Sequence, residues 1–214
     1  MHMQTTRENK QLWIILLIVL ISFVGSSIVY PILPPLFLQS TDQLIISPEW
    51  SETGRRILLG LTLAIFPLGQ FIGAPILGRN SDLYGRKKIL VLSLAGSVLG
   101  YVLTVIAFWI NSFWLLLFSR FLTGFMEGTF AVARALASEL TTINKFVSFG
   151  RINSMAGVGY IIGPIIGGLL SNSQLVPWFS WSFPFTVAAL ASVITLGLAW
   201  WKLPEHKATR TPQK

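Results

Sequence analysis

The 214-residue chain has too few charges for a soluble protein of its length, since 53% of its residues are hydrophobic and only 11% are charged. Soluble domains contain about 25% charged residues. These proportions exclude a soluble enzyme and a disordered chain, and they predict a membrane protein. The net charge of +8 does not indicate a nucleic-acid partner, because the basic residues form short clusters beside long apolar runs, without a nucleic-acid-binding motif. With no cysteine and only two histidines, the sequence predicts neither a disulfide framework nor a metal site.

Long apolar runs predict six membrane-spanning helices, because about 20 apolar residues cross a hydrocarbon core of about 30 Å. The first run is too long for the apolar region of a signal peptide. Two later runs are too long for a single crossing, and they are divided at the polar pair Asn111-Ser112 and within the segment 171–177. The predicted spans are about 11–38, 57–78, 89–110, 113–138, 150–171 and 182–201.

Six crossings place both termini on one side of the membrane, and the distribution of lysine and arginine indicates which side this is. Twelve basic residues lie on the side of the termini, whereas only Arg55 and Arg56 lie on the other side. Positively charged loops stay in the cytoplasm. We therefore expect residues 1–10 to form a cytoplasmic N-terminus and residues 202–214 a cytoplasmic tail or the start of a central linker. The loop at 39–56 is then expected outside the cell (inner or plasma) membrane.

The segment between the second and third predicted helices carries a spaced set of glycine, acidic and basic residues. Its pattern is G-x-x-x-D-x-x-G-R-K, formed by Gly78, Asp82, Gly85, Arg86 and Lys87. The glycines permit a tight interfacial turn, the carboxylate can accept hydrogen bonds from helix N-termini or arginines, and the basic residues hold the loop at the lipid surface. A plain positively charged loop would need neither the carboxylate nor the glycines. The pattern resembles the signature loop of the major facilitator superfamily, with leucine in place of the arginine that usually follows the aspartate.

Three further motifs, in chain order, resemble those of twelve-helix drug antiporters in that family. The first helix carries Gly25, Pro31 and Pro34, and the fourth carries the pattern R-x3-G-x3-G, which begins at Arg120 and ends at Gly128. In the family this arginine is associated with proton transfer. The fifth helix carries the longest motif, which consists of Gly150, Gly159, Gly163, Pro164, Gly167 and Gly168.

Part of the fifth-helix motif also has a direct physical meaning. Gly159, Gly163 and Gly167 recur at every fourth position, which clears one helix face of side chains so that another helix can pack closely. Pro164 predicts a kink. The resemblance implies that this bent, bare face shapes a barrier against leakage in antiporters, and simple close packing of helices is the alternative.

The fourth helix holds the only charges well inside a predicted span. Arg120, Glu127 and Arg134 are seven residues apart and share one stripe of the helix. A charge at membrane depth is costly unless it faces a cavity or a partner. Because about 10 Å of helical rise separates Arg120 from Glu127, we expect them not to pair directly, and we interpret both as proton-coupling candidates. A structural carboxylate locked to an arginine is the alternative for Glu127, and Arg134 is expected at the cytoplasmic interface.

Two polar stripes are candidates for lining a translocation pathway. Ser22, Ser26 and Tyr30 recur at every fourth position on the first helix, and Asn153 and Tyr160 are seven residues apart on the fifth. Serines in membrane helices also bond to carbonyl groups of their own helix. The first-helix stripe therefore fits a pathway and local hydrogen bonding equally well.

The family resemblance extends from the first helix to Leu203-Pro204-Glu205 and implies a fold. Family members have twelve helices in two six-helix halves, with the substrate at their interface. We therefore expect an all-α membrane protein in which residues 11–201 form one half, the N-terminal one, as a 3+3 inverted repeat. The face bearing Glu127 is expected to stay uncovered until a second half packs on it.

The same resemblance implies a proton-coupled secondary transporter, and efflux of drugs or other small molecules by alternating access is the leading interpretation. The expected partners are the lipid bilayer, a small-molecule substrate, and a C-terminal six-helix half or a partner chain. A proton gradient is the expected energy source, with no cofactor, and no enzymatic activity is predicted because the sequence has neither a P-loop nor a Ser/His/Asp arrangement. An uptake symporter of the same fold remains an alternative, although the fifth-helix motif favours efflux. A non-transporting membrane fragment or interaction module is the other alternative.

Overall fold

The structure, a computed structural model, describes residues 2–38, 50–140, 143–172, 174 and 179–204, with side chains from residue 8 onward. Most of the predicted external loop, and the predicted tail after residue 204, lie outside these residues. Within the described ranges the chain forms eight α-helices and no strand. The helices are α1 (His2–Ser27), α2 (Leu33–Leu38), α3 (Glu52–Tyr84), α4 (Arg86–Trp109), α5 (Phe113–Met126), α6 (Thr129–Ser138), α7 (Lys145–Leu170) and α8 (Phe183–Lys202).

Six helical segments are long and apolar enough to cross a membrane, and α5 and α6 together make one of them. The predicted fold class, an all-α protein with six transmembrane helices, is confirmed. The most extensive packing joins α3 to α5, α1 to α7, and α4 to both α8 and α5. The second span therefore packs on the fourth as the fifth packs on the first, which is the arrangement that an inverted repeat of three spans produces.

The first predicted span, 11–38, is not a single helix, because α1 ends at Ser27 and a turn leads into α2. Pro31 has no N–H to donate and disfavours the helical conformation at the residue before it. The N–H of that residue, Tyr30, bonds to the Ser27 carbonyl at 3.2 Å instead of continuing the regular helix. Pro34 is compatible with helix because it lies in the first turn of α2.

The second span, predicted over 57–78, extends beyond these limits at both ends. The Ser51 hydroxyl caps the start of α3 by accepting a backbone N–H three residues on, at 3.1 Å. Gly78 does not lie in a turn as predicted, because α3 continues through the signature loop to Tyr84. The turn itself is made by Gly85, whose φ of 105° is a conformation that favours glycine. At 33 residues, α3 is about 50 Å long, against about 30 Å for the hydrocarbon core.

The fourth span, predicted as one helix over 113–138, is interrupted between α5 and α6. The Glu127 N–H bonds to the Gly124 carbonyl at 3.0 Å, three residues back rather than four. Gly128 follows, and a Cβ added to it would stand 2.5 Å from the side chain of Leu77 on α3. Glycine weakens helix and here also makes room for the neighbouring helix, so the break coincides with a close contact.

The last two spans differ from the prediction only at their ends. α7 begins at Lys145 rather than near residue 150, because the Asn144 side chain accepts the Phe146 N–H at 2.9 Å and caps the helix. α8 covers Phe183–Lys202, one residue from the predicted 182–201.

Two apolar clusters fill the interior of the bundle. One contains Leu12, Leu90 and Leu136, and the other, towards α2, contains Phe37 and Phe185. Along the helices, buried polar side chains occupy the positions between the two clusters: Ser26, Ser27, Ser97, Arg120, Thr123, Glu127 and Ser192. A polar layer therefore lies between two apolar ones.

Candidate functional site

Arg120 lies in this polar layer, with only 1% of its surface exposed. Its guanidinium carbon is 4.7 Å from the centroid of the Phe66 ring on α3, which is a cation–π arrangement. Nε and Nη1 have no hydrogen-bond partner in the described part of the chain. Tyr101, Tyr30 and Glu127 are within electrostatic reach of the guanidinium. The site thus contains a buried cation with unused donors.

Tyr101 on α4 is buried beside this cation, and its hydroxyl also lacks a partner among the described residues. Gly25 of the first-helix motif makes room for it, since a Cβ there would stand 2.5 Å from the hydroxyl oxygen. Pro31, in the turn after α1, is the nearest neighbour of Gly168, whose added Cβ would be 3.9 Å away. The first-helix motif therefore contributes space for a tyrosine and the end of α1.

The groove that Glu127 helps to line lies on an uncovered face, since Phe71 and Ile76 of α3 border it and are exposed. Glu127 itself, at the break between α5 and α6, is only 2% exposed. Its Oε1 has no hydrogen-bond partner in the described residues. The carboxylate contributes to a groove of about 860 Å³ whose lining is otherwise almost entirely apolar and includes Pro67, Gln70, Phe71, Pro75, Phe130 and Ala131.

No hydrogen bond or ion pair joins Arg120 to Glu127 in the ranges that the structure describes, which fits their separation along the helix. A buried carboxylate without a partner is costly, and it gains stability by binding a proton, water or a cation. A buried guanidinium with free N–H groups can bind an anionic or otherwise hydrogen-bond-accepting molecule. The two residues therefore offer one position for a proton and one for a polar ligand.

Arg134 on α6 is exposed, and it is tied to the neighbouring helix rather than free at the interface. Its Nη2 donates to Asn153 Oδ1 on α7 at 2.6 Å, and its Cζ stands 4.4 Å from the centroid of the Phe130 ring. Asn153, predicted to line a pathway, is in this structure the acceptor of an interhelical hydrogen bond.

Two of the three residues in the predicted first-helix stripe, Ser22 and Ser26, lie in α1. Ser22 is partly buried and Ser26 is buried, with the Ser26 hydroxyl donating to the Phe23 carbonyl of its own helix at 3.0 Å. Tyr30 lies beyond the end of α1, so it does not continue the helical stripe, and it is exposed. Tyr160 on α7 is also exposed, and its ring packs edge-on against that of Phe23 at 5.1 Å.

The fifth-helix glycines bring α7 against the backbone of α1. Gly159 and Gly163 face successive carbonyl groups of α1, and Gly167 faces the carbonyl of Ile28 just after it. A Cβ on Gly159 or Gly163 would stand 2.9 or 2.6 Å from a carbonyl oxygen. The Ser27 hydroxyl of α1 donates to the Gly159 carbonyl at 3.1 Å. Gly150 differs from the others, since an added Cβ there would meet nothing within 4 Å.

A second close helix contact, between α3 and α5, uses Gly69 and Gly73, for which no functional role was predicted, together with Gly124 of the fourth-helix motif. A Cβ on Gly69 would stand 2.5 Å from the Phe121 carbonyl oxygen, and Gly73 faces the next carbonyl of the same α5 face. Gly124 on α5 faces a carbonyl of α3 in return. The spacing of four between Gly69 and Gly73 is a signal that predicts such a contact.

In the signature loop, Arg86 joins the end of α3 to the end of α6. Its Nη1 is 2.8 Å from Asp82 Oδ1 and its Nε donates to Glu139 Oε1, while Ser81 Oγ accepts a third, longer contact of 3.4 Å. The Arg86 side chain is 17% exposed and that of Glu139 26%, so the pair is shielded from solvent. Lys87 makes no ion pair within the described residues. Glu139 was not predicted as a functional residue, since it lies outside the signature loop and 53 residues from its partner.

Six apolar spans with unpaired charges buried between them define a multi-pass membrane protein, and such charges in membrane helices mark ion or substrate pathways. The family model of the Major Facilitator Superfamily matches residues 15–214 of the chain. The chain belongs to this superfamily, as its signature loop indicated.

Two bacterial relatives illustrate the similarity. The tetracycline resistance protein, class H, of Pasteurella multocida is 35% identical over 192 residues, which cover 89% of this chain and 44% of the relative. The class B protein of Escherichia coli is 33% identical over 203 residues, or 94% of this chain and 46% of the relative. The crystal structure of the human organic anion transporter MFSD10 (TETRAN) has the same fold, with a TM-score of 0.73 at 23% identity over 96% of this chain and 50% of that one. The chain thus spans about half the length of the proteins it matches.

Proposed function

We propose that this chain is the N-terminal six-helix half of a proton-coupled exporter of small molecules that works by alternating access. The observation that carries the proposal is the pair of buried, mutually unpaired charges Arg120 and Glu127 beside the break between α5 and α6. The tetracycline resistance proteins among the relatives support a drug-like substrate.

In this proposal Glu127 carries the proton and Arg120 takes part in binding the substrate. A proton gradient can drive transport only if a group binds the proton differently in the inward- and outward-open states. The break in the helix at Glu127 supports this role, because a small rearrangement there changes the surroundings of the carboxylate. The groove beside Glu127 supplies a route by which water or substrate reaches the carboxylate, and a surface on which a second half can pack.

A second six-helix unit is the partner that we propose for the exposed faces of α3 and α7. Only 22% of the apolar segment of α3 and 28% of that of α7 are buried, compared with 50% for α4. Large apolar side chains stand out on both faces, including Phe71 on α3 and Ile161 on α7. A second half packed on these faces would enclose the groove and complete the walls that alternating access requires.

We further propose that the termini and the signature loop face the cytoplasm of a cell membrane. The two ends of α3 allow a direct test, since Glu52 and Tyr84 are both exposed and the chain has no native cysteine. In intact cells, a membrane-impermeant thiol reagent should label Glu52→Cys and leave Tyr84→Cys unlabelled until the membrane is permeabilised. Labelling of position 84 alone from outside would show that the chain has the opposite orientation to the one proposed.

Transport itself is tested by supplying the chain with a second half. The chain is co-expressed with the part of the class H relative that it does not match, and everted vesicles are assayed for tetracycline uptake and for proton release on adding tetracycline. Co-expression of both parts of the relative is the control for the split. We expect uptake coupled to proton release with both halves, and neither with the 214-residue chain alone. Uptake without proton movement, or uptake by the monomeric chain in liposomes, would contradict the proposal.

A further inference from the structure

A basic pocket lies between the start of α1 and the end of α8, away from the charged site on α5. Its volume is about 340 Å³, and its lining includes Lys10, Gln11, Ile14, Trp201 and Lys202. The two helices are in contact along this side of the bundle, so the pocket has walls on two sides. Both lysines are exposed at its mouth.

The two lysine side chains of this pocket, Lys10 and Lys202, have no ionic partner among the described residues. Gln11 as a whole residue is 9% exposed, and none of the described residues gives its amide a hydrogen-bond partner. Its N–H groups therefore add to the donors that the two lysines can offer to an acceptor in the pocket.

The position of the pocket corresponds to the headgroup level of a bilayer. Trp13 on α1 and Trp200 and Trp201 at the end of α8 are all exposed, and tryptophans concentrate at the membrane interface. One turn further into the membrane, Ile14 forms an apolar wall of the pocket. The site is therefore cationic at the headgroup level and apolar below it.

We propose that this pocket binds the phosphate group of an anionic phospholipid. The phosphate would accept hydrogen bonds from the ammonium groups of Lys10 and Lys202 and from the Gln11 amide, with an acyl chain along Ile14. Basic pockets between membrane helices favour anionic headgroups for this reason, and charged hydrogen bonds to phosphate are the stronger kind. The apolar wall favours a lipid over a free phosphate ion, because only a lipid has a chain to place there.

The test is native mass spectrometry of the 214-residue chain in detergent with added phosphatidylglycerol, with phosphatidylcholine of the same acyl chains, or with inorganic phosphate alone. We expect the wild type to bind phosphatidylglycerol about tenfold more tightly than phosphatidylcholine, and phosphate only weakly. Lys10→Gln/Lys202→Gln should remove the preference, and Gln11→Leu should reduce it. Lys145→Gln/Arg151→Gln, with the same loss of charge at the start of α7, is the matched control and should retain it.

Three results would overturn the inference. The first is equal binding of the two lipids by the wild type. The second is an equal loss of preference in the control pair, which would mean that net charge alone attracts the lipid. The third is inorganic phosphate binding as tightly as phosphatidylglycerol, which would remove the lipid as the source of the phosphate. Circular dichroism of each variant ensures that the comparison is made between folded chains.

Discussion

The contacts between α3 and α5 and between α1 and α7 both depend on glycines that let two helices pack closely. In each, a long helix places glycines at every fourth position against backbone carbonyl groups of its neighbour. In the α3–α5 contact both helices contribute glycines, because Gly69 and Gly73 of α3 face α5 and Gly124 of α5 faces α3. In the α1–α7 contact the row of glycines lies on α7. Both pairs occupy equivalent places in the inverted repeat.

The two contacts differ in what they hold. The α3–α5 contact carries Arg120 over Phe66 and has Glu127 at its end, whereas the α1–α7 contact holds the neutral bond from Ser27 to Gly159. Close packing of helices is therefore common to both contacts, whereas the buried charges Arg120 and Glu127 lie at the α3–α5 contact. Substitutions should accordingly separate packing from proton chemistry.

The largest expected effect on stability comes from filling the packed glycines of either contact. Gly163→Ala and Gly124→Ala should each destabilise the chain by about 1–3 kcal/mol, because the new methyl group meets a backbone carbonyl of the facing helix, and at position 163 also the Ser27 hydroxyl. Gly150→Ala is the control, and it should be neutral or gain up to about 1 kcal/mol since it faces open space in a helix. Unfolding in detergent followed by circular dichroism measures all three. Equal losses at positions 150 and 163 would show that glycine flexibility, not contact, is what matters.

A smaller effect is expected from ion pairs at the two ends of α3. A double-mutant cycle of Arg86→Gln and Glu139→Gln should give a coupling energy of about 1 kcal/mol, because both side chains are shielded. The pair Arg56–Glu52 has both side chains about two-thirds exposed, and its cycle should give about 0.3 kcal/mol. The same unfolding assay measures both cycles. A stronger coupling in the exposed pair would remove the structural role assigned to Glu139.

Composition and apolar run length predicted the six spans, since both record the need to match a bilayer. They did not predict the helix ends, because helices continue into polar segments wherever a side chain such as Ser51 or Asn144 caps the backbone. The break at Gly128 was not predicted either, because glycines are common inside membrane helices that continue through them. It coincides with close packing against Leu77, a contact between residues 51 positions apart.

The charged residues of the site were predictable because a charge in an apolar run stands out at once. Their surroundings were not, since Phe66 and Tyr101 resemble any other buried aromatic residue until the helices are packed. Glu139 illustrates the same limit, because its partner is set by the meeting of α6 with the signature loop.

Glu127→Gln, in the chain paired with a second half, tests the central claim most directly. Glutamine keeps the size and hydrogen bonding of the side chain while removing its ability to titrate. We expect this variant to retain energy-independent tetracycline exchange across vesicles but to lose uphill uptake and the dependence of transport on pH, while the control Arg134→Gln keeps both. Uphill, pH-dependent transport by Glu127→Gln at the wild-type rate would contradict the account, because the carboxylate would then be structural and the proton would be carried elsewhere.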